Sequence, residues 1–191
     1  AGSLTFDVPL TTRFRGVTRR SGMLVQGAAG WGEWSPFPEY QRPEIDAWWR
    51  AAVEAAVEGW PAPVRSQVPV NSIVPAVDAE RAGAFALAGG CRTAKVKVAE
   101  RGQELADDLA RVEAVRDALG PSGRVRIDAN GAGEVDEAVR ALRELARFEL
   151  EYVEQPCATV EELAELRVRL ARAGIEVAVA ADESIRRSGD P

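Results

Sequence analysis

The sequence contains no histidine, and this absence excludes several kinds of active site. Nucleophiles that depend on a Ser-His or Cys-His pair are ruled out, and so are most zinc sites. Only two cysteines are present, Cys91 and Cys157, and their separation matches no metal-binding spacing, so we expect two buried, reduced thiols. Acid-base chemistry in this chain must therefore come from lysine, aspartate or glutamate.

Long apolar runs and clusters of basic residues are also missing. No segment approaches the ~20 apolar residues that span a bilayer, and the first residues lack a signal-peptide stretch, so we expect a cytoplasmic protein. The formal net charge of −6 and the scattered lysines and arginines disfavour nucleic acid and anionic membranes as partners. With 191 residues, 46% of them hydrophobic, the chain can form one domain plus a smaller one, and it fits an enzyme or binding protein for a small molecule.

The N-terminal region has a strand pattern. Residues 3 to 35 form short alternating runs without a helical period, which predicts a small antiparallel meander. We expect a loop from Pro9 to Gly16 between its first strands. Arg13 in that loop is a candidate contact for an anionic substrate, although a solvated surface arginine is the more common case.

A helix and a break follow the meander. Helical spacing of apolar residues predicts a helix from Pro43 to about Glu58, and the segment Trp60-Pro61-Ala62-Pro63 ends it. Because proline-rich segments often separate domains, we place a boundary here. The predicted domains are an α+β domain, residues 1–63, and a second domain, residues 64–191.

From Val68 onward, strand patterns alternate with helix patterns. The predicted strands cover residues 68–74, 94–98, 124–130, 150–155 and 176–181, and the predicted helices cover residues 76–88, 102–119, 134–147 and 160–173. Such regular alternation indicates an α/β fold with a parallel sheet, and the repeat length suits either a barrel or a doubly wound sheet.

The second of these strands carries two lysines on one face. Lys95 and Lys97 alternate with Ala94, Val96 and Val98, so the lysines point away from the helices. A charged edge strand is one explanation. We favour a central strand that lines a polar interior, where each ammonium group should lower the pKa of the other and make one lysine a base near neutral pH.

Acidic residues lie near the ends of the next three predicted strands. Asp128, Glu154 and Asp182 are 26 and 28 residues apart, which is about one strand plus one helix with its loops. Any one of them alone would be read as a helix cap or a loop residue. Together they predict three carboxylates at the carboxyl edge of the sheet, a ligand set that suits Mg²⁺.

Two further polar residues share the strand of Asp128. Asn130 is a candidate residue for supporting a ligand or contacting the substrate, and Arg126 either binds a substrate carboxylate or pairs with an acid. Lysines opposite a divalent cation suit removal of a proton α to a carboxylate, because the cation stabilises the developing enediolate.

The motifs Lys95-Val-Lys97, Ile-Asp128-Ala-Asn130, Val-Glu154-Gln-Pro and Ala-Asp182-Glu183-Ser resemble the enolase superfamily, in its muconate-lactonizing-enzyme-like branch. The resemblance implies a capping domain followed by a (β/α) barrel. It also implies Mg²⁺ held by Asp128, Glu154 and Asp182, Lys97 as the acid-base residue, and Lys95 as the residue that tunes it. Glu183 should point away from the site in a regular strand.

The N-terminal motifs Arg13-Phe14-Arg15-Gly16, Gly32-Glu33 and Val68-Pro69-Val70-Asn71 more particularly resemble the o-succinylbenzoate synthase family of menaquinone biosynthesis. That resemblance implies a dehydratase, a carbon-oxygen lyase, that makes o-succinylbenzoate from 2-succinyl-6-hydroxy-2,4-cyclohexadiene-1-carboxylate. An N-acylamino-acid racemase or dipeptide epimerase on the same scaffold is the enzyme alternative, and a metal-binding fragment without turnover is the other.

The predicted barrel is incomplete in this chain. A (β/α)₈ barrel needs eight strands and about 250 residues, and only five strands are predicted before Pro191. We therefore expect the remaining strands, with a second active-site lysine, to follow in a longer protein.

Overall fold

The structure is a computed structural model that describes residues 2–186. The chain divides into two compact units, Ala1–Val68 and Pro69–Pro191, so the division falls five residues after the predicted boundary. No helix in the described residues is long and apolar enough to cross a membrane.

The first unit is an antiparallel sheet followed by a helix. Its strands lie side by side in chain order, β1 (Gly2–Phe14), β2 (Val17–Gln26) and β3 (Trp31–Trp34), and helix α1 covers Glu44–Val57. A Cβ atom on Gly32 of β3 would lie 1.8 Å from the carbonyl oxygen of Ala52 in α1. Only glycine allows this helix to pack so closely on the strand.

The predicted meander is present, but the expected loop that contains Arg13 is wrong. Strand β1 continues through Arg13 to Phe14, and the chain reverses in a tight turn at Arg15 and Gly16, both with positive φ. The pairing of β1 with β2 is irregular between Pro9 and Phe14. Proline has no N–H group to donate to a neighbouring strand, so Pro9 suggested that the strand ended there. The strand nevertheless continues past it.

The second unit contains all five predicted strands and all four predicted helices. They are β4 (Ser72–Val74), α2 (Ala79–Leu87), β5 (Thr93–Lys97), α3 (Leu105–Leu119), β6 (Arg124–Asp128), α4 (Val135–Leu145), β7 (Leu150–Glu154), α5 (Val160–Arg172) and β8 (Val179–Ala180), followed by a short helix α6 (Glu183–Arg186). The first and last strands are shorter than predicted.

The five strands of this unit form one parallel sheet in the order β4-β5-β6-β7-β8. Every strand pairs with the next one in the chain, and the order does not reverse. A doubly wound sheet would reverse at a switch point, so this order favours the barrel interpretation. One side of the sheet packs against the helices in an aliphatic core that includes Val96, Ile127, Val153 and Leu166.

Candidate active site

The side chains of β5 alternate between two environments, as predicted. Ala94 and Val96 are fully buried in the core, whereas Lys95 and Lys97 lie on the opposite face. β5 pairs with β4 on one side and β6 on the other, so a charged edge strand is excluded. The two lysines therefore occupy a central strand.

Lys97 is almost completely buried, with 8% of its surface exposed. Its Nζ donates hydrogen bonds to Oδ2 of Asp128 at 2.6 Å and to Oδ1 of Asn130 at 2.7 Å. A buried ammonium group is stable only with such partners. Lys97 is thus fixed to the residues that end β6.

Lys95 contacts two of the predicted metal ligands. Its Nζ donates to Oε1 of Glu154 at 2.8 Å and lies 3.2 Å from Oδ2 of Asp128. Burial is the largest single influence on its pKa and lowers it, but the hydrogen bond and the charges of the two carboxylates together outweigh burial. The pKa of Lys95 is raised, so the expected lowering by a neighbouring lysine is wrong for this residue.

Asp128 is the most buried acid of the cluster, with 1% of its surface exposed. Its Oδ1 accepts a hydrogen bond from the backbone N–H of Asn130 at 3.0 Å, and its Oδ2 contacts both lysines. Burial acts to raise the pKa of Asp128, but the hydrogen bond from Lys97 and the charges of Lys97 and Lys95 lower it more. Asp128 therefore carries a charge that the surrounding residues stabilise.

Glu154 reaches the same face because β7 contains an irregularity. Leu150 and Val153 both lie in the core although they are three residues apart, which strict alternation forbids. The register shifts there, so that Val125 pairs with Leu150 while Arg126 pairs with Tyr152. The extra residue shifts the alternation of side chains along β7 by one position. Glu154 therefore pairs with Asp128 and points to the same face of the sheet.

Asp182 follows β8 by two residues, and its backbone N–H donates to Oε1 of Gln155 at 2.7 Å. Among residues 2–186, no three acids or cysteines form a group that could hold a metal ion. Asp128 and Glu154 both contact Lys95, so the structure brings these two acids together. Their role as metal ligands, and that of Asp182, stays a prediction.

The chemistry of these donors fits a hard divalent cation. The available ligands are carboxylate oxygens, with no imidazole or thiolate among them, and such sets suit Mg²⁺. Two ammonium groups lie against Asp128 and one against Glu154, so both acids are arranged to accept positive charge at this edge of the sheet. Of the predicted ligands, Asp128 and Glu154 are the two whose contacts with a shared lysine bring them together for such a cation.

Arg126 lies on the face of the lysines and pairs with an acid. Its Nε donates to Oε2 of Glu151 at 2.6 Å, its Nη1 donates to Oδ1 of Asn71 at 3.0 Å, and its guanidinium lies 5.0 Å from the centre of the Tyr152 ring. The predicted substrate contact stays a prediction. Arg13 belongs to the first unit, and its substrate contact also stays a prediction.

Glu183 does not point away from the site as expected. It begins helix α6 instead of continuing a strand, and its Oε1 accepts a hydrogen bond from Nδ2 of Asn130 at 2.9 Å. Asn130 thus joins Lys97 to Glu183. The other carboxylate oxygen of Glu183 is buried and makes no hydrogen bond to any residue between 2 and 186.

Sequence reasoning missed Gln155. This residue is fully buried, and its Oε1 accepts from the backbone N–H of Asp182 and from the N–H and hydroxyl of Ser184. Its Nε2 donates to the carbonyl of Cys157 at 2.8 Å. In the sequence, Gln155 is noticeable only as a polar residue between Glu154 and Pro156. No local pattern shows that it binds Asp182, 27 residues later.

The profiles of two families match this chain. The one described as enolase C-terminal domain-like matches residues 78–190, and the one described as enolase N-terminal domain-like matches residues 5–56. The first profile alone covers more than half of the chain, and together they match both units.

Curated relatives are much closer in sequence than solved structures. The o-succinylbenzoate synthase of Thermobifida fusca is 67% identical, over 97% of this chain and 57% of its own length. That of Mycolicibacterium smegmatis is 55% identical, over 96% of this chain and 56% of its own length. The chain therefore spans somewhat more than half the length of the curated relatives it matches.

The solved structures show the fold. The L-Ala-D/L-Glu epimerase of Bacillus subtilis superposes with a TM-score of 0.73 at 22% identity, over 95% of this chain and 67% of that one. The o-succinylbenzoate synthase of Thermosynechococcus elongatus, described with Mg in its active site, superposes with a TM-score of 0.54 at 24% identity, over 95% of this chain and 68% of that one.

Proposed function

The chain belongs to the enolase superfamily, and from this membership we propose that the whole protein is an o-succinylbenzoate synthase. In this role it removes water from 2-succinyl-6-hydroxy-2,4-cyclohexadiene-1-carboxylate, in menaquinone biosynthesis. Two relatives that bear that name, and are 67% and 55% identical to the chain over the matched regions, support the proposal. The observation that carries it is the buried Lys97, hydrogen-bonded to Asp128 and Asn130 beside a second lysine.

In the proposed reaction, Lys97 acts at both proton transfers. Its Nζ takes the proton α to the substrate carboxylate as the carbon-hydrogen bond breaks, and the electron pair of that bond stays on the substrate. The same Nζ then donates that proton to the leaving hydroxyl group as the carbon-oxygen bond breaks. Water leaves and the ring becomes aromatic, so protons and electrons balance with no further reactant.

The other residues of the site bind the metal ion and position the substrate. Mg²⁺, when bound by Asp128, Glu154 and Asp182, supplies positive charge that stabilises the negative charge on the substrate carboxylate. We propose that Lys95 keeps Glu154 and Asp128 aligned through its two contacts. Arg126 and Asn130 are the proposed substrate contacts on the same face.

The test is an assay of the complete protein with this substrate and Mg²⁺. The proposal expects the absorbance of the cyclohexadiene to be replaced by that of the aromatic product. It also expects the activity to disappear after the metal is removed by a chelator and to return when Mg²⁺ is added. A protein that leaves the substrate unchanged under these conditions contradicts the proposal.

A parallel incubation in D₂O distinguishes dehydration from racemisation. An N-succinylamino acid recovered with deuterium at its α carbon would indicate racemase activity. If that exchange occurs while the cyclohexadiene is not converted, the protein is a racemase or epimerase and the proposed dehydratase is wrong. Mg²⁺ binding without turnover on either substrate would favour a binding function.

A further inference from the structure

A charged network lies behind β5, on the side of the sheet away from the lysine side chains. Arg111 of α3 is 1% exposed and is among the largest fully buried side chains. Its Nη1 donates to the backbone carbonyl oxygen of Lys97 at 3.0 Å, and its Nε donates to the carbonyl oxygen of Val77 at 2.7 Å. One arginine therefore binds the backbone of the lysine that carries the proposed chemistry.

An acid on the same helix completes the network. Asp108 is 6% exposed, and its Oδ1 accepts from Nη1 of Arg111 at 2.7 Å. Its Oδ2 accepts from the backbone N–H of Ala99 at 2.9 Å. Ala99 has a positive φ of 55°, a conformation that is costly for a residue with a Cβ atom. The pair thus fixes the chain on both sides of Val98.

The backbone needs this support because the neighbouring strand has ended. The last pair between β4 and β5 joins Val74 to Val96. Pro75 follows Val74 in the chain and has no N–H to donate. The carbonyl of Lys97 therefore lies beyond the ladder on that side, and Arg111 supplies a hydrogen bond there in place of a strand.

We propose that Arg111, held by Asp108, is a positioning residue that sets the place of Lys97 in the reaction. This inference rests on the proposed function, because it assumes that Lys97 transfers the proton. Proton transfer requires the base to lie within hydrogen-bond reach of the substrate. A displacement of about 1 Å in such a group costs on the order of 10²-fold in rate.

Helix α3 also provides a matched control. Arg116, five residues later, donates to the carbonyl oxygens of Phe148 at 3.0 and 2.9 Å and of Gly123 at 2.8 Å. These acceptors lie next to the start of β6 and β7, at the edge of the sheet opposite Lys97. Arg116 therefore makes a similar set of backbone hydrogen bonds, and those seen within the described part of the chain go to segments other than β5.

The experiment compares Arg111→Met with Arg116→Met in the complete protein. We expect both variants to unfold at lower temperature, because each leaves backbone carbonyls without a donor. Only Arg111→Met should lose turnover, with kcat lower by roughly 10-fold to 100-fold. Its KM and its Mg²⁺ affinity, measured by calorimetry, should stay at wild-type values, and the isotope effect for α-deuterated substrate should be at least as large as that of the wild type.

Arg111→Lys keeps the buried charge beside Asp108 and covers the case in which Arg111→Met does not fold. A lysine donates from a single nitrogen atom and cannot reach all the acceptors of the guanidinium group. Arg111→Lys should therefore recover only part of the lost kcat. Equal kcat losses in Arg111→Met and Arg116→Met, or a wild-type kcat in a folded Arg111 variant, would overturn the inference. A wild-type protein that does not turn over the substrate would instead overturn the proposed function.

Discussion

The two faces of strands β5, β6 and β7 both contain buried side chains but differ completely in chemistry. On the helix side, Val96, Ile127 and Val153 are at most 1% exposed. On the other side, Lys97 and Asp128 are 8% and 1% exposed and carry opposite charges. The two faces therefore differ in the free energy of burying their side chains.

The aliphatic face stabilises the fold, since each fully buried side chain contributes about 1.5–3 kcal/mol. Buried ion pairs roughly break even, because desolvation offsets their attraction. The charged face is therefore expected to contribute little net stability. On this face, Lys95 and Lys97 form ion pairs with Asp128 and Glu154.

The strongest test of this comparison is Lys97→Ala. We expect the rate of dehydration to fall by at least roughly 10²-fold to 10⁴-fold, the range of general acid-base catalysis. The fold should persist because Lys95 still lies 3.2 Å from Asp128. Steady-state kinetics and circular dichroism measure the two effects, and Lys97→Arg is a control that keeps the charge but provides no base. Retained turnover would remove Lys97 from this role.

The next effect concerns the acids of the charged face. Asp128→Asn and Glu154→Gln should each weaken Mg²⁺ binding by at least about tenfold, because each removes a charged oxygen ligand. Titration calorimetry measures the affinity. Glu151→Gln is the matched control, since Glu151 lies on β7 but pairs with Arg124 and Arg126. Equal affinity in all three variants would give Asp128 and Glu154 a structural role only.

On the aliphatic face, Ile127→Ala should act on stability. Ile127 is 1% exposed, and such truncations typically lower the free energy of unfolding by about 2–5 kcal/mol. Urea denaturation measures this change, and Ile127→Val should cost only about 0.5–1.5 kcal/mol. We expect kcat per folded molecule to stay near the wild-type value, and a loss as large as that of Lys97→Ala would mean that the two faces are not separate.

Much of this arrangement follows from local patterns in the sequence. Alternation in Ala94-Lys95-Val96-Lys97 predicted which side chains face the helices, because side-chain direction in a strand depends only on position. The spacing of Asp128 and Glu154 predicted that both acids end strands, and the register confirms that they are neighbours. These features need no knowledge of distant residues.

Other features depend on tertiary contacts that no local pattern contains. The irregularity near Glu151 changes the phase of β7, and strict alternation from Leu150 would have placed Glu154 on the helix side. Arg111 looks like an ordinary helix-surface arginine until its carbonyl acceptors, 34 and 14 residues earlier, are known. The raised pKa of Lys95 likewise could not be predicted without knowing that Glu154 and Asp128 lie beside it.

The smallest expected effect is a difference in chemical labelling between the two cysteines, one partly exposed and one buried. Cys157 is fully buried in the core, and burial, with the charges of nearby glutamates, raises the pKa of its thiol to about 11. The thiolate is the nucleophile that attacks iodoacetamide, so at pH 8 only about one Cys157 thiol in a thousand is reactive even before access is considered. Cys91 is partly exposed. We therefore expect iodoacetamide to label Cys91 in the native protein and Cys157 only after unfolding, as measured by peptide mass spectrometry. Comparable labelling rates at the two positions would show that the core next to Gln155 opens, and that the segment holding Asp182 is not fixed.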